Sequence, residues 1–350
     1  AFSADTGMAE SMIVATRGLA GTSTSVCVNL RCRPRDPFSA YATARAVSQG
    51  RAGTTILNTV EQVSMGDGAA GVMAAEVYRA AQALASGRLI LPRARNDWRI
   101  PVTRLGNLAG RGKYHTAFMD GYAGAAFSTH ALSEVQAVEY PMLWAHDCER
   151  ERRFVVGPDR ACRPLDRAKA LDIWHNTASR LHSNRDFRIN SQPLAMCLTP
   201  YPALGGRAWP NLTVKAPAYE IPLLLWANSL LGIMVFWLCG TRQQQGRVSI
   251  PISRLTELPV LDVRRLTKGG QQACQRLFED LQDKDFLPAN EAWRDDTRQE
   301  LDWHLLTEVL KLDPRSTQQA GSQLHDGLDQ LRLWWCNEPS VHGGENSRPH

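Results

Sequence analysis

The sequence predicts an α+β fold, and three observations carry that prediction. Strand-like segments rich in β-branched residues open the chain, at 10–17 (ESMIVATR) and 25–33 (SVCVNLRCR). The middle, from about 127 to 215, mixes short apolar stretches with Pro, Gly and many Arg. Beyond 265 the pattern turns amphipathic and mixed in charge over lengths that suit helices.

Taken in order, the first two segments flank a Gly/Ser/Thr-rich turn at 18–25, which predicts an antiparallel pair at the end of a sheet. A helix follows over 36–49, with Asp36 as N-cap and Pro37 at its first position. A second spans 69–87 and stops at Gly87. RLILP (88–92) and WRIPVTRLGNLAGRGKY (98–114) suit short strands and a Gly-rich loop. Strands are expected at 140–147, 152–159 and 190–199, with a helix over 164–184 between the last two. A helix over about 220–239 leads to a polar loop and RVSIPISRL (247–255). Helices at 270–285, 295–312 and 319–336 precede a polar tail. There is no internal repeat and no low-complexity tract.

The composition, 43% hydrophobic and 21% charged over 350 residues, excludes disordered and fibrous classes. The formal net charge is +5, and only six of the 40 basic residues are Lys. Arg-rich surfaces favour planar, bidentate contacts to phosphates and base edges; the same bias also fits a merely solvated basic surface. The eight Cys lack paired Cys-x-x-Cys spacing, with Cys27 and Cys32 the closest two, so free thiols in a reducing cytoplasm are expected. The sequon at 211–213 has no other sign of secretion beside it. The chain starts without Met and almost at once within a strand pattern, from which a missing upstream portion is expected.

Residues 221–240 carry no charge and are long enough to span a bilayer. Pro222, Asn228, Ser229 and Gly232 interrupt the run, and no basic cluster flanks it. A buried helix with one polar edge, in which Asn228 and Ser229 bond nearby backbone, is the expectation, with no membrane.

Catalytic signatures are absent. GRGK at 110–113 lacks the spacing of a phosphate-binding loop, GDGAAG at 66–71 reads as an ordinary loop, and no Gly-x-Ser-x-Gly occurs. His146, Asp147 and Cys148 are sequence neighbours; along a strand they would face opposite sides, so a structural His146 is expected. No metal site is expected. The richer constellation is basic and hydrogen-bonding. It comprises Arg180, Arg185, Arg188, Asn190 and Gln192, then Arg207 and Lys215, then Arg242, Gln243, Gln244 and Arg247. Arg, Asn and Gln pair with guanine and adenine edges, while Arg and Lys hold phosphates. Arg185, Arg188, Arg207, Lys215, Arg242, Gln243, Gln244 and Arg247 are the candidate DNA-binding residues.

LLWANSLLG (224–232), followed by QQQGRVSIPISRLTELPVLD (243–262), resembles the target recognition domain of restriction-modification systems. Specificity subunits and the C-terminal parts of adenine-specific DNA methyltransferases share this order of Asn-Ser helix, Gly-bearing loop, short strand and Leu-Pro phrase. The opening strands are similar to the last strands of a class I methyltransferase sheet. The resemblance implies three regions: residues 1–50 as the end of that sheet, 51–264 as a mixed α/β target recognition domain, and 265–350 as helical spacer or docking region and tail. It implies double-stranded DNA as partner, base flipping, and S-adenosylmethionine as the cofactor of a complete enzyme. The family's methyl-donor loop and its Asn/Asp-Pro-Pro-aromatic motif are absent from this sequence. The chain is therefore expected to bind DNA and methylate nothing, either as the C-terminal portion of such an enzyme or as a non-catalytic specificity subunit that docks a separate methyltransferase or nuclease subunit.

Overall fold

The computed structural model describes residues 24–30, 36–49, 53–54, 58–64, 75–92, 97–112, 125–134, 138–242, 246–312, 318–338 and 341. The strand expected at 10–17, its turn and the loop at 66–71 lie outside the described residues. Strand Thr24–Leu30 pairs antiparallel with Asn58–Ser64, which also pairs with Gly53–Thr54. The helices are α1 (Pro37–Gln49), α2 (Ala75–Ala85), α3 (Arg167–Thr177), α4 (Glu220–Asn228), α5 (Leu230–Cys239), α6 (Lys268–Leu281), α7 (Asp296–His304) and α8 (Gln318–Cys336). With the sheets they make the mixed α and β architecture that the residue pattern predicts.

The largest sheet has seven strands. In spatial order they are Ala109–Arg111, Asn211–Val214, Ser179–Ser183, Met196–Gly205, Tyr140–Leu143, Arg160–Pro164 and Phe127–Ala131. All neighbours run antiparallel except Met196–Gly205 beside Tyr140–Leu143, which are parallel.

Four predicted elements differ. The helix expected over 164–184 ends at Thr177, because Ala178 turns to extended backbone (ψ 130°) and Ser179–Ser183 joins the sheet. Asp166 starts that helix by accepting from the Lys169 amide at 3.0 Å. The strand expected at 152–159 begins instead in a 3-10 turn, Arg150–Arg152, and makes one isolated bridge, Val155 to Leu198, with Phe154 and Val156 buried in the core. The segment 190–199 is strand only from Met196.

The fourth difference matters most. The helix expected over 220–239 is broken at Ser229, and its two parts diverge by 80°. Ser229 is extended (φ −66°, ψ 156°), and its hydroxyl oxygen accepts from the Gly232 amide at 3.1 Å, which caps α5. The same hydroxyl donates to the Trp226 carbonyl at 2.7 Å. Asn228 beside it is fully buried, yet its amide is satisfied. Its Oδ1 accepts from the Ala195 and Met196 amides at 2.8 and 3.3 Å. Its Nδ2 donates to the Met196 and Leu224 carbonyls at 2.8 and 2.9 Å. The expected pairing of Asn228 and Ser229 with backbone is thus present, at an elbow rather than along one edge. Both helices are buried on every side, as a helix apolar all round must be. Among the described residues no single helix is long and apolar enough to cross a membrane.

Buried charge ties α7 and α8 to this elbow. Arg298 is fully buried and donates to the carbonyls of Asn228, of Pro193 at 2.9 Å and of Leu287 at 3.1 Å. Asp302 accepts from the Leu230 amide at 2.8 Å and meets Arg332 at 3.3 Å. One apolar core runs from Val77 to Val341 and includes residues on both sides of position 265. A smaller cluster, with Phe127, Met142, Ala170 and Ile173, lies under α3.

Candidate nucleic-acid interface

A three-stranded ribbon follows from α5. Asp186–Arg188 pairs antiparallel with Arg247–Ser249, which pairs antiparallel with Thr241–Arg242. Asp186–Arg188 and Arg247–Ser249 each read polar, apolar, polar, so one face of that pair must seek the core. Phe187 and Val248 are directly opposite and fully buried, and Phe187 meets the ring of Phe236 in α5 edge-on at 5.7 Å. The apolar helix is the platform on which the ribbon rests.

The other face carries charge. Arg188 and Arg247 are cross-strand partners, so their β-carbons stand roughly 4.5–5.5 Å apart. Like charges so placed repel, and one carboxylate answers them: Asp186 lies 3.4 Å from Arg247. Burial pushes the Asp186 carboxyl up, but the hydrogen bond to Ser249 and the charges of Arg185 and Arg247 outweigh it and hold it below its ordinary value. Two guanidiniums against one carboxylate leave this face net positive.

Of the predicted DNA-binding residues, the structure gathers Arg185, Arg188, Arg207 and Arg247 around the junction of this ribbon with the seven-stranded sheet. The Arg185 amide donates to the Ala208 carbonyl at 3.1 Å, beside exposed Arg207, and its carbonyl accepts from Ile250 at 3.0 Å. Lys215 is exposed at the far end of strand Asn211–Val214, where its amide bonds Leu108 at 2.8 Å. Arg242 takes the register position opposite Val248. Gln243 and Gln244 lie outside the described residues. Gly246 has φ 68°, a conformation that glycine adopts freely, and its carbonyl accepts from Ile189 at 2.9 Å. Sequence reasoning missed Asp186 and Ser249; the alternation Asp-Phe-Arg and Arg-Val-Ser around buried centres was the available signal.

The neighbourhood of His146 is structural. Glu151, buried, accepts from Trp209 Nε1 at 3.0 Å and from the Asp147 amide at 2.8 Å, while the His146 ring meets Trp209 edge-on at 5.2 Å. Burial pushes the Cys148 thiol up, which does not suit a nucleophile. Among the described residues no group of three or more His, Cys, Asp or Glu could hold a metal ion. Six cysteines there are free thiols.

No family model matches the sequence, and no curated protein matches it. A solved structure, that of the type IIG restriction endonuclease BpuSI, is similar at a TM-score of 0.47 and 11% identity, over 85% of this chain and 38% of that chain. The chain therefore spans well under half of that enzyme's length. Likeness at this level fixes neither a family nor an activity.

Proposed function

We propose that this chain is the DNA-recognising portion of an adenine-specific methyltransferase of a restriction-modification system, with the catalytic motifs outside it. The observation that carries the reading is the cross-strand pair Arg188 and Arg247 on a ribbon whose other face is locked to α5. An antiparallel strand pair such as Asp186–Arg188 with Arg247–Ser249 is the kind of element that enters the major groove; there Arg188 and Arg247 would hold phosphates, and Gln243 and Gln244, next in sequence to Arg242, suit adenine edges. The resemblance of the Asn-Ser to Leu-Pro segment supplies the family side of the proposal.

S-adenosylmethionine belongs to the complete enzyme in this reading, and the residues here do not fit it. A cavity of about 710 Å³ is lined by Arg99, Arg265 and Lys311, a poor match for a sulfonium cation. No step of methyl transfer is assigned to this chain. The alternative, a specificity subunit that docks a separate methyltransferase, makes the same demand on the ribbon. A salt titration of duplex binding tests both: neutralising several phosphates makes affinity fall steeply with salt. Binding that is absent, or indifferent to salt, overturns the reading.

A further inference from the structure

We propose that the cavity between the end of α2 and the start of α6 is a binding site for a nucleotide-sized organic phosphate. Its wall comes from segments far apart in sequence: Ser86 and Gly87 after α2, Arg99 to Val102, Arg265 to Thr267, and Val309 to Lys311. At about 710 Å³ it lies within the size range of small-molecule sites and far exceeds what a bare phosphate fills.

The charge of the wall is one-sided. Arg99, Arg265 and Lys311 line it, and no carboxylate does. None of the three makes an ion pair among the described residues. Asp262, three residues before Arg265, is engaged by Arg264, whose Nε and Nη2 donate to its two oxygens at 2.7 and 2.9 Å. Arg264 thus holds that carboxylate by hydrogen bonds, while Arg265 acts on it only through space and lines the cavity. Lys311 reaches the wall through a positive φ of 54°, uncommon for a side chain of its kind. Thr267, the N-cap of α6, stands on the same wall, so the positive end of a 14-residue helix abuts the cavity.

The rest of the lining is largely apolar, with Ile100, Pro101, Val102, Leu266 and Leu310. Cations against an apolar wall select a ligand with an anionic group on a largely flat organic body. A nucleotide has both, whereas a free phosphate uses only half of the site and a nucleoside only the other half.

The test is calorimetric titration of the intact chain with ADP, and separately with pyrophosphate and with adenosine. ADP is expected to bind, each half at least tenfold more weakly. The exposed pair Arg99→Ala and Arg265→Ala is expected to weaken ADP binding at least tenfold and leave duplex binding unchanged. Should that variant melt early, Lys311→Gln gives the same reading with a smaller loss. Absence of ADP binding overturns the proposal, as does ADP binding that ignores these substitutions. Loss of duplex binding without any ADP binding also overturns it and assigns the cavity to the DNA surface. The site does not depend on the ribbon, so Arg188→Ala, which tests the DNA reading, leaves ADP binding intact.

Discussion

The carbonyl oxygen of Trp226 occupies the place that a β-carbon on Gly232 would need. The first helix of the elbow ends against the first turn of the second, with no side chain between them. In an ordinary helix interior, Gly→Ala stabilises by up to about 1 kcal/mol. Here the obstacle is backbone and cannot rotate away, so Gly232→Ala is expected to destabilise by about 2–3 kcal/mol. Urea unfolding monitored by circular dichroism checks the sign, and a stabilised variant would refute the close approach.

Ser229→Ala removes the cap of α5 and the bond to Trp226, and a loss of about 1 kcal/mol is expected. Ser229→Asp keeps an acceptor for the Gly232 amide but gives up the donor and buries a charge. It should unfold more easily than the alanine variant, in the same denaturant series.

Arg298→Met leaves Asp295 and three carbonyls without their buried donor. Loss of one partner from such a cluster costs about 3–5 kcal/mol. Burial pushes the Asp295 and Asp302 carboxyls up despite their arginines, so the variant should take up protons on folding at mildly acidic pH. A stability loss that shrinks as pH falls from 7 towards 5 is the expected pattern; a loss independent of pH would remove the charged carboxylates from the explanation.

His182 is fully buried between Trp209 and Thr199, and burial lowers its pKa to about 4 despite hydrogen bonds to backbone. Its folded value lies below the unfolded value, about 6.5, so the unfolded chain binds the proton better between them. Stability is full above about 6.5, falls as pH drops towards 4, and loses nothing more from this group below that. The total is on the order of 3 kcal/mol. His182→Gln, compared with the parent by thermal melting from pH 7.5 to 4, should lack this part of the slope.

Arg188→Ala and Arg247→Ala should each reduce the salt slope of duplex binding by about one if they hold phosphates. A base-edge contact would instead cost about 1–3 kcal/mol and relax preference at one position. Lys215→Ala, at the other end of its strand, should change affinity less than either. Equal losses at all three positions would argue for diffuse attraction rather than a ribbon site.

The helices after 265 were legible because their apolar residues recur with helical period and their caps, Thr267 and Asp295, stand where the pattern starts. The elbow was not, because Leu-rich sequence continues on both sides of Asn228 and Ser229 and hides the change of direction. What bends the chain there is tertiary: the Met196 strand supplies the partners of Asn228, and no local pattern reports it. Over 164–184 the helical periodicity ran on into Ser179–Ser183, whose alternation shows only once its neighbours in the sheet are known. The arginines of the candidate site were visible as a composition, but their pairing was not. Arg188 and Arg247 meet through a register set by Phe187 and Val248, and register between distant strands is invisible to spacing.

The elbow also determines where this protein could be cut and rejoined. A graft that borrowed residues up to 264 from a relative would import Asn228 and Leu230 while leaving behind Arg298 and Asp302, which hold them. Each hybrid would carry two half-networks, polar groups facing strangers in a dry interior. Outward side chains could be exchanged far more cheaply at the ribbon, where they answer to water and only Phe187 and Val248 answer to the core.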